Sequence, residues 1–430
     1  MKNSANFIIH VEQLRVGLYV HLDLGWMDHP FTLSNFKLDD EAQIQKIKSI
    51  GLKTLRYDPH RSDCMPLPPE QKKSSAEAVK LEVPTPTENT IADEPLSEEE
   101  IKKAKLKRLH RAIDESEKKF VVASDMVKSI NRNLLSAPKI CFEQASSLVN
   151  EMVDTALMEG DIAIHALNGN RSSDSHFQHS LNVTVLSLML AKSIAISKED
   201  ARLLGIAALI HDIGKAEISD KILLKKDPLT HSEMLHYQQH TEFGARMIKE
   251  LNLPLRLGKL ILQHHEYADG SGYPAGLKGE QIDPLARILV LTNAYDNLCN
   301  PVNSDHAKTP YEALASLFAK QRSKFDEDLL KRLIKSLGVY PPGSVVKLSN
   351  NAFATVVSVN PNQPLRPYVM VHSQDSNSEA LILDLRDEAN LNITHCIKPS
   401  QLPAEVLQHT SPRKRVSYFL DRDPNQGTDA

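Results

Sequence analysis

The sequence predicts a multidomain, mainly α protein: a small α+β N-terminal domain, a long helix, an all-α bundle, and a small β C-terminal appendage. Three observations carry this. The chain has 430 residues, 41% hydrophobic and 25% charged, enough for two or three ordinary globular domains. Helical apolar spacing runs from about residue 100 to 337. Beyond residue 340 the pattern changes to short β-rich stretches separated by polar breaks.

Residues 1–60 form the first domain. Short apolar runs at Phe7–Val11 and Leu18–Leu24 read as strands, as does Leu52–Tyr57. Asp39 is placed to cap a helix over Asp40–Ile50, which carries Ile44, Ile47 and Ile50 and stops at Gly51. No catalytic constellation occurs here, which suits a sensory, docking or regulatory module. Residues 61–97 read as a linker, because Pro66, Pro68, Pro69, Pro84, Pro86 and Pro95 among polar residues cannot build a core.

Ser97 and Glu100 make a capping-box pattern before a long helix over residues 98–138. Its apolar or small positions are Leu106, Leu109, Ile113, Ser116, Phe120, Ala123, Val127, Ile130 and Leu134, in unbroken steps of three and four. Such a stripe fits either a homodimer through residues 106–134 or packing on the helix's own domain; the spacing does not choose. Lys102, Lys103, Lys105, Lys107, Arg108 and Arg111 lie beside glutamates and read as a solvated face.

Residues 139–340 read as almost wholly helical, with helical spacing in Leu181–Ile194, Ala201–Ile210, Glu233–Leu251, Pro254–Gln263 and Pro284–Leu298. Thr230 and Glu233 form a second capping box, and Pro254 and Pro284 suit first turns. Residues 341–400 read as the β appendage, from Ser344–Val359, Pro367–His372, Ala380–Leu385 and Thr394–Ile397, with Asn350 and Asn351 marking a hairpin. Residues 401–430 are a polar tail, expected to fray from Ser411 onward.

Bulk charge excludes some partners. A formal charge of −4 gives no reason to expect nucleic acid or an anionic membrane. Cys64, Cys141, Cys299 and Cys396 are scattered without a CxxC pair, which suits a reducing compartment. The N-terminus lacks a leader pattern, and no stretch approaches the roughly 20 apolar residues of a membrane span. A cytoplasmic location is expected.

The chemistry is carried by histidines and an acid in the helical region: His179, the pair His211-Asp212, His240, and the pair His264-His265. A lone helical histidine is more often structural than a ligand. Here His240 shares a stripe with Tyr237, Gly244 and Met247, His264 follows Leu257, Leu260 and Ile261, and His211 ends the apolar run Leu203–Ile210. Imidazoles gathered inside a bundle need a common partner, and a metal supplies one. Aspartate with imidazole suits iron(II), manganese(II), nickel or zinc.

His211-Asp212-Ile213-Gly214-Lys215 resembles the HD signature of metal phosphohydrolases, and the run from His264 through Asp269-Gly270-Ser271-Gly272-Tyr273-Pro274 to Leu277 resembles the extended GYP signature. Together they resemble the HD-GYP family over about residues 170–335. Residues 1–60 resemble an N-terminal domain of uncharacterised function found in some of its members. The resemblance implies an all-helical domain that uses metal ions, often iron or manganese, to cleave cyclic di-GMP to linear pGpG and sometimes GMP. It places His179, His211, Asp212, His240, His264 and His265 at ligand positions, with Asp212 bridging two metals. Lys215 would neutralise the attacked phosphate. Asp269, Gly270, Gly272, Tyr273 and Pro274 would shape the loop beside the substrate, where signalling-domain partners are also expected. Paired metals would lower the pKa of a water, so that hydroxide attacks the phosphodiester near neutral pH.

Two departures from the family pattern remove negative charge. Asn293 stands where an aspartate ligand is expected, and Ser175 where three-metal members place a glutamate. Two divalent ions are therefore expected rather than three. The stretch Cys299-Asn300-Pro301-Val302-Asn303 also lacks an arginine often found there. The alternative to an active phosphodiesterase is a nucleotide receptor or scaffold with weak or no turnover.

Overall fold

The structure is a computed structural model that describes residues 7–22, 31, 35–68, 98–134, 136–157, 162–166, 175–225, 227–360, 363–372, 381–398, 401–403 and 416–422. The chain divides into two units, Met1–Lys103 and Ala104–Ala430.

In the first unit, strands β1 (Phe7–His10), β2 (Tyr19–His21), β3 (Asn35–Lys37) and β4 (Thr54–Tyr57) form an antiparallel sheet in the order β1-β4-β2-β3. Helix α1 (Glu41–Ser49) sets Ile44 and Ile47 against Val20, Leu38 and Leu55. Its cap is Asp40 rather than Asp39: the Asp40 carboxylate accepts from the Gln43 amide at 2.8 Å. β3 escapes sequence reading because Asn35-Phe36-Lys37 is short and holds one apolar residue. Packing also continues past residue 60. The Leu67 amide donates to the Gln13 carbonyl at 2.9 Å, so the linker begins later than expected. The rest of the linker, residues 69–97, and Ser97 of the capping box lie outside the described residues.

The long helix is α2 (Glu98–Asn133). Of the two partners its stripe left open, a second copy through residues 106–134 or the chain's own domain, the structure shows the second covering it. From Leu109 to Leu134 the stripe is at most 6% exposed within the single chain, and Leu109 and Ile113 pack on Val357, Tyr368 and Ile382 of the β appendage. A one-sided apolar stripe takes any apolar partner, and this one is covered by its own chain.

The bundle comprises α3 (Pro138–Leu157), α4 (Ser175–Ser193), α5 (Lys198–Ile210), α6 (Asp220–Leu223), α7 (His231–Gln238), α8 (His240–Glu250), α9 (Leu255–Gln263), α10 (Pro284–Cys299), α11 (Pro310–Lys320) and α12 (Glu327–Leu337). α4 lies at its centre, packed by α3, α5, α10 and α12. This explains why α4 is apolar on every side, with Leu181, Val183, Val185, Leu186, Leu188 and Leu190 all fully buried. The segment Glu233–Leu251, expected as one helix, breaks at Gln239 into α7 and α8. The Thr230–Glu233 capping box is present, and Pro284 stands in the first turn of α10, whereas Pro254 is the N-cap of α9.

The appendage strands are β6 (Val345–Leu348), β7 (Phe353–Ser358), β8 (Tyr368–Val371), β9 (Leu381–Asp384) and β10 (Ile393–Ile397). The β6–β7 hairpin turns at Asn351, whose φ of 68° is one that asparagine tolerates. Two further strands depart from the expectation. β5 (Ile162–Ala166) interrupts the helical region, and β11 (Tyr418–Arg422) pairs antiparallel with it, Tyr418 opposite Ala166. The tail is therefore not frayed at residues 416–422; Tyr418 is fully buried and its hydroxyl meets that of Tyr295 at 3.0 Å. The remainder of the tail beyond residue 403 lies outside the described residues. Among the described residues, no helix is long and apolar enough to cross a membrane.

Candidate metal centre

Helix ends build the site. His211 is the C-cap of α5, His264 is the C-cap of α9, and His240 follows the C-cap of α7. The last carbonyls of a helix lack intrahelical partners. Each ring uses one of them. Nδ1 donates to the carbonyl three residues back: His211 to Ala208 at 2.8 Å, His240 to Tyr237 at 2.6 Å, and His264 to Ile261 at 2.5 Å. A carbonyl can only accept, so Nδ1 carries the proton and Nε2 is left with a free lone pair. His179, in α4, is oriented instead by a carboxylate, with Nδ1 donating to Asp296 Oδ2 at 2.7 Å and Nε2 turned to the same side.

These four Nε2 atoms converge. His179 and His211 approach Nε2 to Nε2 at 3.3 Å, and His240 and His264 at 3.2 Å. Between two unprotonated nitrogens this is no hydrogen bond. Two nitrogens each about 2.1 Å from one cation stand about 3.0–3.4 Å apart. Asp212 lies between the pairs. Its Oδ2 is 3.5 Å from His211 Nε2, and its Oδ1 is 3.6 Å from His240 and 3.8 Å from His264. Among the described residues Oδ1 is also buried without a hydrogen-bond partner, a costly condition unless a cation meets it. Two donor sets follow, His179-His211-Asp212 and Asp212-His240-His264-His265, sharing Asp212. The residues present fit a pair of divalent ions.

The electrostatics agree. Burial pushes His211 and His265 well below the usual imidazole range and His240 down to about 4, so these rings are neutral at physiological pH. Burial would raise Asp212, but Lys215 and then His211 outweigh it and hold the carboxyl well below its ordinary range. Burial would likewise lower Lys215, yet Asp212, at 2.6 Å from its Nζ, keeps it above the usual ammonium range.

Glycines let the parts meet. A Cβ on Gly214 would lie 1.9 Å from the His240 carbonyl oxygen, and one on Gly272 would lie 2.4 Å from the His265 carbonyl oxygen. The substrate-side loop is pinned by Glu266, whose carboxylate accepts from the Ala275 and Leu277 amides at 2.7 and 2.8 Å. Tyr273 stacks on His265 with ring centroids 4.7 Å apart. Asp269 holds Ser271 at the exposed rim and Gly270 turns there with φ of 82°. Pro274 follows on the exposed edge. A cleft of about 270 Å³ opens beside Asp212 and Lys215, walled by Phe177, Ile218 and Leu223, with Asn131 contributed by α2.

A profile described as an HD domain matches residues 161–329, one described as a domain of unknown function matches residues 7–166, and one described as a KOW domain associated with HD domain matches residues 345–405. Cyclic di-GMP phosphodiesterase PA4108 of Pseudomonas aeruginosa is 30% identical over 367 residues, covering 84% of each chain. The chain belongs to the HD-GYP family. The cyclic di-GMP phosphodiesterase response regulator RpfG of Xanthomonas campestris is 37% identical over 34% of this chain and 39% of its own. A 3'3'-cGAMP-specific phosphodiesterase 3 of Vibrio cholerae is 32% identical over 38% of this chain and 35% of its own.

Within this HD-GYP chain the structure brings together His179, His211, Asp212, His240, His264 and His265, with Lys215 beside them. Asn293 is buried in α10, but its Oδ1 accepts from the Asn297 amide at 2.7 Å. The acid that reaches the site from α10 is Asp296, one turn later, as the partner of His179 rather than as a member of either donor set. The side chain of Ser175 lies outside the described residues. Sequence reasoning gave no role to Asn182, Asn300 or Glu266. A polar Asn182 in a helix apolar on all sides was a usable signal; Asn300, in a loop, gave none.

Proposed function

We propose that this chain is a phosphodiesterase that hydrolyses cyclic di-GMP to linear pGpG, and on to GMP where both phosphodiesters are cut, using two divalent ions of iron or manganese. The observation that carries this reading is Asp212, placed between two histidine pairs whose Nε2 atoms converge, with a buried Oδ1 that has no hydrogen-bond partner among the described residues. Cyclic di-GMP is favoured over 3'3'-cGAMP because PA4108, named for cyclic di-GMP, matches along 84% of this chain, whereas the cGAMP enzymes match 38–44%.

His179, His211 and Asp212 would hold one ion, and Asp212, His240, His264 and His265 the other. Ions there would withdraw charge from the phosphodiester and lower the pKa of a water. The protein's own groups do the rest. Nδ1 hydrogen bonds keep the rings in the tautomer that offers Nε2. Lys215, cationic across the physiological range and 2.6 Å from Asp212, is placed to offset charge that grows on phosphoryl oxygens. The cleft beside it presents Phe177 and apolar walls to a base. Gly272 lets the loop approach the His265 backbone, and Glu266 holds it there. The rim at Asp269–Ser271 is the surface for a signalling-domain partner.

The test is Asp212→Ala. Bound metal and hydrolysis of cyclic di-GMP should both be lost, because the shared ligand of both sets is gone. Normal turnover in that variant would refute the two-metal reading. Metal binding by the wild type without hydrolysis would favour a nucleotide receptor instead.

A further inference from the structure

We infer that the backbone from Val416 to Tyr418, at the start of the C-terminal strand β11, is a positioning element of the metal centre, acting on His179 through Asp296. The inference rests on the metal reading of His179 proposed above.

The observation is a closed hydrogen-bond network. Asp296 Oδ2 accepts from His179, and its Oδ1 accepts from the amides of both Asn182 and Asn300, at 2.9 and 2.8 Å. Each of those amide nitrogens donates its second hydrogen to the Val416 carbonyl, at 2.8 Å from Asn182 and 2.9 Å from Asn300. The two amide oxygens are taken as well: the Val416 amide donates to Asn300 Oδ1 at 2.8 Å and the Tyr418 amide to Asn182 Oδ1 at 3.0 Å. Asp296 and Asn182 are fully buried and Asn300 nearly so. The backbone around β11 therefore fixes the orientation of two amides, which fix a carboxylate, which fixes the tautomer and angle of one metal-facing imidazole.

The energetics give this consequence. Without the Val416 and Tyr418 amides, each asparagine keeps a buried Oδ1 that has lost its donor, a cost of roughly 1–3 kcal/mol apiece that favours rotation away from Asp296. Groups that orient a metal-binding histidine typically change metal affinity 10–100-fold when altered. The effect should fall on the set containing His179, while the set Asp212-His240-His264-His265 has no bond to this network among the described residues.

Two measurements test it, both on the full-length chain with Mn(II) as the probe. In Val416→Pro/Tyr418→Pro, two amide donors to Asn300 and Asn182 are removed. The expected result is one Mn(II) bound as in wild type and the second 10–100-fold more weakly. Wild-type affinity for both ions in a variant of unchanged circular dichroism would overturn the inference. The second measurement needs no variant. Binding linkage is reciprocal, so Mn(II) should slow hydrogen exchange at the Val416 and Tyr418 amides by the same 10–100-fold relative to chelated protein. Unchanged exchange at both amides in a wild type that binds two ions overturns the inference alone. A wild type that binds no Mn(II) overturns the proposed function and this inference with it.

Discussion

Gly214→Ala is a single-methyl perturbation aimed at the centre. The added Cβ would lie 1.9 Å from the His240 carbonyl oxygen and 2.5 Å from the Gly244 amide nitrogen, both backbone atoms that no rotamer change can move. An ordinary contact begins near 3.4 Å, so the start of α8 and the Asp212 turn must part by roughly 1.5 Å. Overpacking of this kind costs about 1–3 kcal/mol. The functional effect is larger than the stability effect. Metal sites tolerate ligand errors of about 0.2 Å, and a shift of roughly 1.5 Å moves His240 away from Asp212, now 3.6 Å apart. The variant should fold with a lowered melting temperature, lose the ion of the His240 set, and hydrolyse cyclic di-GMP at least 100-fold more slowly. Isothermal titration with Mn(II), a thermal melt and a turnover assay read the three effects. Wild-type metal stoichiometry and affinity in Gly214→Ala would refute the reasoning, because the close approach would then not be what sets the ligands.

Other substitutions probe neighbouring parts. Glu266→Gln replaces one of two buried acceptors with a donor, so the Ala275–Leu277 loop should loosen by about 1–3 kcal/mol; KM for cyclic di-GMP should rise while bound metal stays constant, and a loss of metal instead would contradict this. Asn293→Asp keeps the acceptor for Asn297 and adds a buried charge; Mn(II) affinity should rise on the order of tenfold without a matching rise in turnover, whereas an unchanged titration would place residue 293 away from the ions. Phe120→Ala should cost about 3–5 kcal/mol in urea unfolding, since Phe120 is only 5% exposed within the chain; unchanged stability with altered sedimentation would restore the intermolecular seam.

Much of the centre was legible because its chemistry is local. His211-Asp212 and His264-His265 are adjacent pairs at helix ends, and apolar stripes direct them inward. The stripe of α2 was legible as a stripe but not in its partner, since 3-4 spacing is the same whether a second copy or the chain's own sheet covers it. The break at Gln239 was hidden because the spacing of Tyr237, His240, Gly244 and Met247 stays helical across it. Strands β5 and β11 were hidden for another reason. Neither is marked by clear alternation; β5 is set by pairing with β7 and β11, and β11 by pairing with β5. Asn300 and Asp296 acquired their roles the same way, from a backbone segment more than a hundred positions later.

That long-range pairing sets a timetable for biosynthesis. Asn182 and Tyr418 are bonded partners 236 positions apart. At roughly 5–20 residues per second, the ribosome needs on the order of 10–50 s to add Tyr418 after Asn182 has been made. Throughout that interval the Asn182 amide lacks the Val416 carbonyl, and α4 is held only by the neighbours already made, Asp296 among them once α10 is complete. Contacts this distant in sequence form late and slowly. The nascent chain can therefore gather its histidines well before it can clamp His179, and a fully ordered centre marks a chain whose synthesis has passed residue 418.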